Sequence, residues 1–122
     1  MQKQIAILID ILLTIVFIAI GRASHDESLA PMQVLTTAWP FLLALAIGWV
    51  VMLVRKRDHL PVGAGIFLWI TTWVGGIVLR VASGDTAATA FIIVAGITLL
   101  LFLVGWRLVY WLATRNKQAA AA

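Results

Sequence analysis

Four long apolar runs, separated by three short polar stretches, organise this chain. They predict helices over about 5–22, 34–54, 61–81 and 87–113, each near the roughly 20 residues that cross a hydrocarbon layer about 30 Å thick. The expected fold is an all-α integral membrane protein, a four-transmembrane-helix bundle built as two hairpins. It forms one domain over residues 1–122, with 114–122 as a short cytoplasmic tail. The first run could pass for a signal peptide, with Ala19-Ile20-Gly21 as a cleavage site. Asp10 inside the run, a weak basic start at Lys3 and three further runs downstream argue for a span instead.

The breaks carry their own signals. Pro31 suits the first turn of a helix. Pro40 lies inside the second run, so that helix is expected to start near Trp39 or to bend there. Arg55-Lys56-Arg57-Asp58-His59 is the densest charge run and separates runs two and three. Gly84 can end the third helix, and Asp85 or Thr86 can cap the fourth.

The two halves look alike. Arg22 and Arg80 lie 58 residues apart, whereas Gly48-Trp49 and Gly105-Trp106 lie 57 apart, which suggests a parallel repeat with one residue of slip in the loop. Each half reads as a span ending in Arg, a loop with Ser and Asp, and a span carrying Gly-Trp before a basic end.

Composition sharpens this picture. At 63% hydrophobic and 11% charged, the chain is far more apolar than a soluble domain. The net charge of +4 would suggest nucleic acid, but most of the basic residues flank the spans, where membrane topology accounts for them. Lys3, Arg55 to Arg57, Arg115 and Lys117 fall on one side, against Arg22 and Arg80 on the other. Both termini are therefore expected in the cytoplasm of a multi-pass plasma-membrane protein. Nucleic acid is not an expected partner. With no cysteine there is no thiolate nucleophile or sulfur metal site, and His25 and His59 are expected at opposite faces. No metal, cofactor or enzymatic activity is implied.

Four groups of residues stand out. Asp10 and Arg107, about five and six residues deep from the same face, are expected to form a buried ion pair across the first and last helices. Arg22 and Arg80, with Ser24 and His25 nearby, could converge on an anion at the opposite face, or each could pair with its own loop Asp or snorkel to lipid phosphates. Thr71 with Gly75, and Thr72 with Gly76, are small residues four apart that let another helix approach closely. Trp69 and Trp73, one turn apart near mid-membrane, could line a pocket or form a packing ridge. Trp49, Trp106 and Trp111 read as interfacial residues.

Gly21-Arg22 with Ser24-His25, Ala38-Trp39-Pro40-Phe41, Gly48-Trp49, Leu79-Arg80, Phe91 and Gly105-Trp106-Arg107 together resemble a domain-of-unknown-function family of small four-helix prokaryotic membrane proteins, actinobacterial and haloarchaeal. The resemblance covers nearly the whole chain and implies four spans, but no activity or ligand. Residue chemistry then suggests a small homo-oligomeric transporter or channel for an anionic solute. The alternative is a non-transporting accessory, assembly or lipid-binding subunit with a larger membrane partner.

Overall fold

A computed structural model describes the backbone of residues 1–121 and the side chains of residues 1–115. All regular structure among the described residues is helical. Helix α1 covers Lys3–Ser24, α2 Pro31–Val54 and α3 Val62–Ala82; the fourth rod joins α4 (Thr89–Leu99), a π-helical turn (Leu100–Val104) and α5 (Gly105–Ala121). All four rods are long and apolar enough to cross a membrane. Lipid offers backbone N–H and C=O groups no partner, so helices that satisfy their own polar groups are the form such runs must take.

Several ends fall elsewhere than the apolar pattern places them. Helix α2 starts at Pro31, three residues before position 34, because proline at the first helical position gives up an N–H that would have no partner there anyway. It then continues through Pro40. The proline removes one backbone bond, but Ala38, Pro40 and Phe41 are all buried inside the bundle, and that packing holds the helix together. The fourth rod starts at Thr89, and neither Asp85 nor Thr86 caps it: Asp85 Oδ1 instead accepts from the Thr86 N–H at 2.8 Å. At the other end the expected tail is helical through Ala121. Ala122 and the Lys117 side chain lie outside the described residues.

The rods alternate in direction and stand in a square. Helices α1 and α3 each pack backbone to backbone against α2 and against the fourth rod. Side chains bridge the diagonals, as where Phe41 of α2 meets Phe91 of α4 with ring centroids 6.1 Å apart. One core cluster centres on Phe17, Phe41 and Leu99, and a second on Ala6, Leu45, Trp49 and Leu68. Helices α2 and α3 approach closely because small residues face each other. A Cβ at Gly75 would sit 2.9 Å from Ala44, one at Gly76 would overlap the Phe41 ring, and Gly48 lies against Leu68 and Thr71.

Burial shows a repeat with one constant spacing. At 58 residues, Asp10 matches Leu68, Thr14 matches Thr72, Ile18 matches Gly76, Phe41 matches Leu99, Leu45 matches Leu103 and Trp49 matches Arg107, and every member is buried. The lipid-facing stripe obeys the same spacing: Leu8, Leu12, Val16 and Ile20 on α1 correspond to Ile66, Ile70, Val74 and Val78 on α3, all exposed. The turns match as well. Asp26 and Gly84 both take positive φ, 55° and 91°, four residues after the arginine, and both following rods begin nine residues after it. The expected slip is therefore absent. Gly48-Trp49 and Gly105-Trp106 are not equivalent positions, since Gly48 is tightly packed while a Cβ at Gly105 would meet nothing within 4 Å.

Candidate functional site

At the end of the bundle that holds both termini, Asp10 of α1 and Arg107 of α5 meet, both fully buried. The contact is bidentate: Arg107 Nη1 donates to Asp10 Oδ1 at 2.9 Å and Nη2 donates to Oδ2 at 2.8 Å. Two indoles complete the carboxylate. Trp106 Nε1 donates to Oδ1 at 2.8 Å, and Trp49 Nε1 donates to Oδ2 at 3.0 Å. A carboxylate offers about four lone-pair sites, so Asp10 is saturated.

The guanidinium commits four of its five N–H donors. Its Nε donates to the His59 carbonyl at 2.8 Å, its Nη1 also reaches the Leu103 carbonyl at 2.9 Å, and its plane lies over the Trp106 ring at 4.5 Å. Gly65 makes the room, because a Cβ there would stand 2.9 Å from Arg107 Cδ and 3.0 Å from the Leu103 oxygen. The π-helical turn ends three residues before Arg107, and such wider turns free carbonyls from the regular i to i+4 ladder. His59 is itself buried, with Nε2 3.2 Å from the Met1 carbonyl and its ring 5.9 Å from Trp49. Trp49 and Trp106 are thus not merely interfacial. Their apolar bodies sit in the bundle, and their N–H groups serve the buried acid.

At the opposite end the two repeats present the same clasp. Arg22 Nε donates to the Ser28 carbonyl at 2.7 Å and Arg80 Nε to the Thr86 carbonyl at 2.6 Å, each six residues ahead. Arg22 Nη1 lies 3.0 Å from Glu27 and Arg80 Nη1 lies 3.6 Å from Asp85, each five residues ahead. The left-handed residue before the acid, Asp26 or Gly84, turns the chain back so that the acid faces its arginine. Arg22 accordingly pairs with Glu27, while Asp26, the acid in the notably polar run after Gly21, occupies the turn. Arg22 also donates to Thr37 Oγ1 at 2.7 Å, and Arg80 lies over the Phe91 ring at 4.8 Å.

Both arginines, His25, Glu27, Asp85 and Phe91 line one open cleft of about 660 Å³ whose floor includes Phe17 and Ile18. Ser24 does not join it. Its hydroxyl donates to the Ile20 carbonyl one turn back at 2.8 Å.

The remaining candidates tie helices together. Trp69 and Trp73 stack at 5.5 Å and 8°, and their indoles donate to the Gly96 and Ile92 carbonyls of α4 at 2.7 and 2.9 Å. They do not line the arginine cleft. Thr71 bonds back to the Phe67 carbonyl at 2.8 Å and faces Gly48, and Gly75 and Gly76 face α2. Thr72 is fully buried, and its hydroxyl has no partner among the described residues. No cluster of metal-ligating side chains occurs among the described residues.

Fold and site together define a multi-pass membrane protein, a pseudo-symmetric four-helix bundle with an ionic lock near one end and paired arginine clasps at the other. The chain belongs to the family described as "Protein of unknown function (DUF3054)", whose model matches residues 7–110. That stretch takes in Asp10, both clasps and Arg107. Comparison with curated proteins and with solved structures yields no match.

Proposed function

We propose that the protein handles an anionic solute at the Arg22–Arg80 cleft and that copies of the chain assemble to carry it across the cell membrane. The observation that carries this reading is that guanidiniums from opposite repeats line one cleft together with His25. Their acidic partners are more than half exposed, and ion pairs in such water-rich settings are worth little, so an incoming carboxylate or phosphate can compete for the forks. Each Nη2 is without a hydrogen-bond partner among the described residues and is left to offer. The centre of a single bundle is filled by Phe41, Leu45, Leu68, Leu99 and Leu103, so a path would run between copies, which favours a homo-oligomer. The excess of Lys and Arg at the opposite end supports a cytoplasmic placement of both termini. This reading assigns no catalytic step and no cofactor.

A non-transporting accessory subunit is the second reading, favoured by the ionic lock, whose full burial and dense hydrogen bonding suit a scaffold better than a moving part. The small residues of α3 pack inside the bundle, so a partner helix would meet the lipid-facing stripe Ile66, Ile70, Val74 and Val78 instead. Anion flux into liposomes holding purified protein tests the choice. Replacing both Arg22 and Arg80 by Gln is expected to cut flux by roughly tenfold or more, on the scale of a lost charge-assisted hydrogen bond. Unchanged flux would remove the arginine mouth, and no flux for chloride, phosphate or small carboxylates in wild type would favour the accessory subunit.

A further inference from the structure

The end of the bundle opposite the clasps carries a second cleft, about 570 Å³, between α2 and α3. Its walls are Val51, Ala64 and Phe67, its floor includes the buried Met52, and Arg55 and Arg57 stand at its rim. The local backbone explains the rim. Lys56 takes the left-handed conformation at φ 53°, and the Arg57 N–H bonds back to the Met52 carbonyl at 2.9 Å. This turn brings the arginines on either side of Lys56 to the cleft, whereas Lys56 does not line it.

These arginines differ from those of the clasps in one decisive way. Arg22 and Arg80 are gripped by their own loops, but neither Arg55 nor Arg57 has a side-chain hydrogen bond or salt bridge among the described residues. The one acid on the rim, Asp58, is engaged locally: its Oδ1 accepts from the Leu60 N–H at 3.3 Å and lies 3.8 Å from His59 Nδ1. The cleft therefore combines two unengaged guanidiniums with an apolar trough that opens sideways, where Val51 and Phe67 are partly exposed toward lipid. A soluble anion would use only the rim. An amphiphile uses both parts.

We infer that this cleft is a binding site for an anionic phospholipid, with the headgroup phosphate on the forks of Arg55 and Arg57 and an acyl chain along Val51, Ala64 and Phe67. Basic pockets between spans are suited to such headgroups, and planar guanidiniums match phosphate oxygens in pairs. The site is separate from the solute cleft, and its test is independent of any flux.

Native mass spectrometry of the full chain, released from micelles holding equal amounts of phosphatidylglycerol and phosphatidylcholine, reads the preference directly. Wild type is expected to retain phosphatidylglycerol by roughly tenfold or more over phosphatidylcholine, the scale of two basic residues near an anionic surface. The double variant Arg55→Gln with Arg57→Gln should bring the ratio near one, whereas the charge-matched Lys56→Gln with Arg115→Gln should keep most of it. Both cleft arginines are exposed, and a far-ultraviolet circular dichroism spectrum checks that each variant stays helical. Equal retention of the two lipids by wild type, or equal losses in the two double variants, would overturn the site. Binding of soluble glycerol phosphate as tight as that of phosphatidylglycerol would overturn the lipid as its occupant.

Discussion

At Asp10 a carboxylate that would be costly in hydrocarbon is met by four donors, two from Arg107 and one each from Trp49 and Trp106. Removing one partner of such a pair leaves the other charge buried and uncompensated, which costs about 3–5 kcal/mol. Asp10→Asn and Arg107→Gln are each expected to lower unfolding stability in detergent by that amount. The double variant should cost clearly less than the two added, and strict additivity in the double-mutant cycle would show that the residues do not act as a pair. Thr72 makes the opposite case. Its buried hydroxyl has no partner, so Thr72→Val removes a desolvated polar group at nearly constant shape and should raise stability by about 1 kcal/mol; a loss of that size in the same assay would mean that the hydroxyl is engaged. The two residues were unequally legible. Opposite charge and matched depth point from Asp10 to Arg107 along the chain, but the two indoles and the His59 carbonyl depend on how each helix is rotated, which counting from the membrane face does not give.

Among the elements, the α2–α3 contact depends on the absence of side chains. A Cβ at Gly76 would overlap Phe41, a ring wedged between Phe17 and Phe91, with little freedom to yield. Gly76→Leu is therefore expected to destabilise the bundle by about 1–3 kcal/mol, the range for overpacked cores. Gly105→Ala, where a Cβ meets nothing, should be neutral or slightly stabilising. Thermal unfolding of both variants in one detergent checks the contrast, and equal losses would refute it. That Thr71, Thr72, Gly75 and Gly76 form a small-residue face is visible in the spacing of four. Which helix fills that face is not, since an intramolecular neighbour and a foreign one ask the same of a glycine.

For the whole molecule, the repeat matters most. Equivalent lipid-facing stripes, equivalent core positions and equivalent arginine turns mean that Arg22 and Arg80 meet the cleft in similar ways. On the proposed transport reading, Arg22→Gln and Arg80→Gln singly should thus reduce anion flux by comparable factors, and an effect confined to one would show that the cleft uses a single half. The asymmetry is concentrated at the lock. Where the first half has Asp10 and Trp49, the second has Leu68 and Arg107, so two equivalent positions supply different donors to one acid.

What the amino-acid sequence determined by itself was the number of spans and the all-α class, because hydrocarbon leaves an apolar run of about 20 residues only one way to satisfy its backbone. Tertiary structure decided the register of the repeat, since burial compares whole faces while the matching Gly-Trp dipeptides compare two letters and mislead by one residue. It also decided which arginines are engaged. Arg22 and Arg80 are held by acids that a left-handed turn swings toward them, while Arg55 and Arg57 are carried by another such turn to the rim of a cleft whose one acid, Asp58, faces His59 and the Leu60 N–H instead. Each of these arginines has an acid within five residues of it in sequence, and the path of the backbone decides which acids reach their arginine.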